Sequence, residues 1–149
     1  MLAELHQKEK SMSTSKFVTH FYLGLSFLGL LMVSLMSIHN PQATMDLVQV
    51  KLDNNDAISS IRGIYGGVGL SILVSLVYGY FKLGLRVLLA FFTMFWGFYA
   101  LSRLLTLTIN GPLASFGQQW LITESFLCIV GVALLWVNTK NETSPKKLV

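Results

Sequence analysis

Three ionisable side chains stand inside stretches of the sequence that are otherwise almost free of charge: Arg62, Arg103 and Glu124. In an apolar setting each is expensive unless a partner takes it up. The natural partner for Glu124 is Arg103 or Arg62, because a guanidinium can grip a carboxylate through two parallel hydrogen bonds. Two arginines against one glutamate leave a surplus positive charge, which Asp56 could neutralise and an anion could equally fill. Tyr65 and Tyr99 lie one helical turn from Arg62 and Arg103 and would add hydroxyl groups. Three uses of such a cluster stay open. It could be a polar lock that only fixes helix register. It could hold a lipid headgroup or small anion, or Glu124 could move protons or serve catalysis.

Other chemistry is harder to find. His6 and His39 fall outside the apolar runs and His20 near a boundary, with no second histidine at helical ligand spacing, so neither a metal nor a cofactor is expected. Cys128 is the single cysteine; it can form no intrachain disulfide and reads as a small buried hydrophobe. The chain lacks a glycine-rich phosphate loop, an H-E-x-x-H, a G-x-S-x-G and a C-x-x-C. Gly63-x-x-Gly66-Gly67 falls within an apolar run, which excludes a dinucleotide-binding reading on context.

The elements that must position these residues follow from composition. The 149 residues are 53% hydrophobic and 12% charged, too few charges to cover a soluble surface. About 20 apolar residues cross a bilayer as a helix. Four segments qualify: 17–38, 60–81, 84–109 and 116–137. The expectation is an all-α membrane protein, a bundle of four transmembrane helices. Asn40-Pro41 ends the first span, and Asn110-Gly111-Pro112 the third. Little more than Lys82-Leu83 joins the second and third. The loop 39–59 holds an alternation at Val48, Val50 and Leu52 that hints at a short strand or an interfacial segment.

Lysine and arginine beside the spans set orientation. Lys8, Lys10, Lys16, Lys82, Arg86, Lys140, Lys146 and Lys147 fall on one side; Lys51, Arg62 and Arg103 fall on the other. Both the polar segment 1–16 and the tail 138–149, read as polar and disordered, are therefore expected in the cytoplasm, and 39–59 outside. The basic residues flank the spans and form no concentrated face, which argues against nucleic acid as a partner. With alternating chain direction, Arg62, Arg103 and Glu124 come to one level, about 5–10 Å below the outer boundary at about 1.5 Å per residue.

Ser59, Gly63, Gly67, Ser71, Ser75 and Gly79 recur at intervals of four on the second span. Small residues let helix backbones approach in lipid, so this stripe is expected to clamp the helix against a neighbour within the chain; a homodimer seam is the alternative.

Arg62-Gly63-Ile64-Tyr65-Gly66-Gly67, then Gly97, Arg103-Leu104, Asn110-Gly111-Pro112 and Glu124 resemble a bacterial four-helix membrane family, the domain of unknown function with catalogue number four-three-four-five. The resemblance covers roughly 40–137. It departs where the family often has glycine three or four residues before the arginine; here Tyr99-Ala100 stands. More distantly, the layout is similar to small four-helix membrane proteins of the DoxX type and to sterol-synthesis scaffold proteins. The resemblance implies a bacterial cytoplasmic-membrane protein with no assigned activity. Three functions compete: a structural or accessory component beside other membrane subunits, a lipid-headgroup or anion binder, and a membrane enzyme or proton-coupled carrier using Glu124.

Overall fold

Helices in this chain stop where its turn-forming residues stand. The computed structural model describes the backbone of residues 2–143 and the side chains of residues 13–139. The side chains of Glu4, Lys8, Glu9, Lys10 and Lys140, and all of 144–149 with Lys146 and Lys147, lie outside the described residues.

Helix α1 runs Leu2–His39. Asn40 ends it and at once starts the short α2, Pro41–Asp46, its side chain accepting from the Ala43 N–H and Pro41 taking a first-turn place that needs no donor. Asn54 does the same for α3, Asn55–Ile61, accepting from the Ala57 N–H at 2.8 Å. The helix then widens into a π-helical segment, Arg62–Val68, and continues as α4, Gly69–Lys82. A glycine-rich stretch, with Gly63, Gly66 and Gly67, carries the widening. Gly84, at φ +85°, turns the chain into α5, Leu85–Ile109. Gly111, at φ +98°, turns it again before α6, Ser115–Thr143. Both glycines adopt a conformation that side chains resist.

Four stretches are long and apolar enough to cross a membrane: Ser13–His39, Asn55–Lys82, Leu85–Ile109 and Ser115–Thr139. Only 22–33% of their most apolar windows is buried within the bundle, so most of the hydrophobic surface faces outward. Phe17, Phe21, Met32, Val74, Phe81, Ile122 and Ile129 are all exposed. Such a surface is stable only in lipid. Helices α5 and α6 pack along their length, and α1 touches α4, α5 and α6 in turn.

The buried side of α1 is polar. Ser15, Thr19, Ser26, Ser34 and Ser37 are all at most 8% exposed, beside the buried Tyr22 and Leu23, while Phe17, Phe21, Leu25, Leu28 and Leu35 of the same helix face out. Their hydroxyls are satisfied locally or across helices: Ser34 donates to the Leu30 carbonyl, and Ser37 bonds Thr44 of α2 at 2.9 Å. No strand is present among the described residues. The Val48–Leu52 segment is held instead by the Gln42 side chain, whose amide donates to the Val50 carbonyl and accepts from the Leu52 N–H. One glutamine thus supplies the partners a neighbouring strand would have given, and Gln49, at φ 58°, bends the segment away from extension.

Candidate functional site

Position 103 lies in the last two turns of α5 and position 124 in the third turn of α6, which is antiparallel to it. Arg103 Nε donates to Glu124 Oε2 at 2.7 Å and Nη2 donates to Oε1 at 3.0 Å, the two-bonded grip that the guanidinium fork allows. The Glu124 side chain is 2% exposed and that of Arg103 22%, so the carboxylate is enclosed while the guanidinium keeps an open edge. Tyr99 lies near enough to Tyr65, Glu124 and Arg103 to interact electrostatically with each. The structure therefore pairs Arg103 with Glu124 and sets Tyr99, with Tyr65 beyond it, within electrostatic range.

Arg62 is elsewhere. Its Nε donates to the carbonyl of Ile38 at 3.0 Å, in the last turn of α1. That carbonyl is one of the acceptors a helix end leaves without an intrahelical partner, and it lies at the negative end of the α1 dipole. The charge left over by the Arg103–Glu124 pair is thus taken up by a helix terminus. Asp56 is exposed in the first turn of α3 and joins no salt bridge among the described residues, where the pairs are Lys51–Asp53 and Arg103–Glu124.

The small-residue stripe also differs from expectation. Ser59, Gly63, Ser71 and Ser75 are exposed and Gly67 half-buried; a Cβ at Gly63 or Gly67 would meet no atom within 4 Å. The hydroxyls of Ser71 and Ser75 turn back onto the carbonyls of Gly67 and Ser71. Only Gly79 is buried, beside Leu88 of α5. In α-helical turns an interval of four overshoots by about 40° per step, and the π-helical turns at Arg62–Val68 shift the phase again, so the six positions do not hold one seam. The close contact with α1 is made instead by Gly66, where a Cβ would stand 2.7 Å from Ile38, and by Gly69, where it would overlap Ser34.

Other tight points lie between α5 and α6. Gly131 leaves space for Thr93 and the Tyr22 hydroxyl, and Gly97 faces the Cys128 sulfur. With Arg103–Glu124 these contacts form successive rungs, descending α5 as they climb α6. Cys128 is thus a packing residue. Trp96 turns toward α1 and not toward Arg103; its Nε1 donates to Ser26 Oγ at 2.9 Å.

A second polar tie closes the opposite end. Ser15 Oγ donates to Asn138 Oδ1 at 2.6 Å, Asn138 Nδ2 donates to Thr19 Oγ1 at 3.1 Å, and Thr19 Oγ1 donates to the Ser15 carbonyl. This joins the start of the first span to the end of the fourth, so both lie on one side of the bundle. Sequence reasoning missed it. The signal available was the run Ser15, Thr19, Tyr22, Ser26 at intervals of four, three and four, with a lone asparagine at the far end of the last span. Among the described residues no group of three His, Cys, Asp or Glu side chains could hold a metal ion.

Outward apolar helices joined inside by an ion pair, hydroxyls and an asparagine define a small multi-pass membrane protein. The profile of the family described as Domain of unknown function (DUF4345) matches residues 18–136, and the chain belongs to that family. The match takes in the first span as well as the motif-bearing region from Asn40 onward. No curated protein and no solved structure matches the chain.

Proposed function

We propose that the protein is a structural or accessory component of a membrane assembly. It would sit in the cytoplasmic membrane of a bacterium with both termini in the cytoplasm. The observation that carries this reading is the use of the charges within the spans: Glu124 is enclosed by Arg103, and Arg62 bonds the end of α1. Spent in this way, they contribute rigidity, and a two-bonded, enclosed carboxylate is poorly placed to exchange protons or attack a substrate. The orientation rests on the lysine and arginine bias about the spans. The surface offered to a partner is the exposed side of α4 at Ser71 and Ser75, one turn apart, where small residues permit close approach of another helix.

The test is cysteine cross-linking in native membranes, in a Cys128→Ala background. Ser71→Cys is expected to form a defined adduct, either with a second copy or with another subunit of fixed mass. Ile129→Cys, exposed on α6, is expected to form none. Equal adducts from both positions, or none from Ser71→Cys together with a lone monomer after gentle extraction, would reject the reading. A lipid-headgroup or anion site at Arg103, Tyr65 and Tyr99 is the second reading, supported by the open edge of the guanidinium. An anion-dependent thermal shift lost in Arg103→Met and kept in Arg62→Ala would favour it.

A further inference from the structure

Helices α1 and α4 meet closely at one end only. Gly66 and Gly69 bring them together near Ile38 and Ser34, and toward the other end of the pair they part around a groove of about 360 Å³. Its floor is apolar and buried: Leu23 of α1, Leu76 of α4, and Leu88 and Phe92 of α5. One wall is opened by Gly24, where a Cβ would meet no atom within 4 Å. Gly24 is exposed and supports no close helix contact, so what it contributes here is room.

The mouth is polar. Tyr80 Oη lies 3.3 Å from His20 Nε2, and His20 Nδ1 lies 2.7 Å from the Lys16 carbonyl. Lys16 is one turn beyond His20 on the same side of α1; it is exposed and joins no salt bridge among the described residues. An apolar slot within a span, opening under a lysine, a histidine and a phenol, matches one kind of molecule. It must have a long hydrocarbon chain and an anionic head at the membrane surface.

We infer that the α1–α4 groove is a binding site for an anionic phospholipid. One acyl chain lies against Leu23, Leu76, Leu88 and Phe92, and the phosphate is held at the level of Lys16, His20 and Tyr80. This site is separate from the Arg103–Glu124 cluster. With the orientation proposed above the phosphate lies in the cytoplasmic leaflet; lipid retention is independent of that orientation.

The experiment is native mass spectrometry of the full chain, delipidated in detergent and then given dioleoyl phosphatidylglycerol or dioleoyl phosphatidylcholine. One retained phosphatidylglycerol per chain is expected, in preference to phosphatidylcholine. A lysine at an anionic membrane surface is worth about fivefold in affinity, so Lys16→Gln should remove most of a roughly fivefold preference. Gly24→Phe, which fills the groove, should abolish retention of both lipids while helicity stays unchanged. Val77→Trp, on the opposite wall, gives the same reading should Gly24→Phe not fold. Equal retention of the two lipids by the unaltered chain would overturn the proposal. So would unchanged retention in the folded groove-filling variant, or a neutral isoprenoid quinone displacing phosphatidylglycerol.

Discussion

Replacing Arg103 with methionine should destabilise the bundle more than replacing Glu124 with methionine, although each removes one half of the same pair. The reason is the difference in enclosure, 2% exposure for the glutamate side chain against 22% for the arginine. Without Arg103 the carboxylate is left deep between α5 and α6 without the two hydrogen bonds that hold it. Breaking a buried pair in this way costs about 3–5 kcal/mol. Without Glu124 the guanidinium can swing its open edge toward headgroups and water on its long stem, so the cost should be about half as large. The double variant, with two methionines meeting across the seam, should return to within about 1 kcal/mol of the parent, because no charge is left behind. Arg103→Lys should fall between, keeping the charge and losing the second parallel bond. The assay is reversible unfolding in mixed micelles titrated with a denaturing detergent, followed by tryptophan fluorescence and helicity. The double-mutant cycle should then give a coupling of about 3.5 kcal/mol or more. Additive losses, or a greater loss from Glu124→Met than from Arg103→Met, would refute the enclosure argument.

Gly69→Ala should cost about 1–3 kcal/mol in the same assay because its Cβ overlaps Ser34, whereas Gly63→Ala should be neutral or slightly stabilising. Equal effects would remove the distinction between the α1-facing glycines and the outward stripe. Gly131→Ala should be damaging for the same reason, its Cβ meeting Thr93 and Tyr22, and should lower the unfolding midpoint by a comparable amount. Tyr22→Phe should change stability by no more than about 1 kcal/mol, since the buried hydroxyl sits beside Thr93 and Ser26 without a well-formed hydrogen bond to either; a larger loss would mean that one forms. Asn138→Leu deletes both bonds to Ser15 and Thr19 and should cost about 1–2 kcal/mol, at the modest rate per bond measured within membranes. Faster hydrogen exchange at the start of the first span would be its local signature.

The spans were legible because their punctuation is local. Asn40-Pro41, Lys82-Leu83 and Asn110-Gly111-Pro112 mark helix ends by what each residue can and cannot do with its own backbone. The common depth of Arg103 and Glu124 was legible too, since alternating chain direction places the end of one span beside the start of the next. Two other features were not. A main-chain carbonyl has no letter in the sequence, so the pairing of Arg62 with Ile38 could not be read from residue types. The stripe from Ser59 to Gly79 was visible, but its drift and the π-helical widening at Arg62–Val68 decide which way it points. Helices in this protein also bury what soluble helices expose. The serines and threonines of α1 form its inner face, and a search for an apolar stripe looks on the wrong side.

The three kinds of tie fall on different helix pairs and at different heights, and that distribution has a mechanical consequence. Helices α5 and α6 are joined along their length by Thr93–Gly131, Gly97–Cys128 and Arg103–Glu124. Helix α1 is tied to α6 at the Ser15–Asn138 end and to α4 at the Ile38–Gly66 end. The far half of α4 has neither: Leu73, Leu76 and Gly79 reach the core, but its cross-helix polar contact there is the long, exposed Tyr80–His20 bond. Separation of helices should therefore cost least between α1 and this half of α4, which is where the groove lies. A lipid seated there would supply the contacts that the chain itself leaves unmade. The Gly24→Phe substitution, by filling the same space from within, should then raise the unfolding midpoint even as it removes the lipid. A fall in both together would mean that α1 and α4 are already held there by contacts of their own.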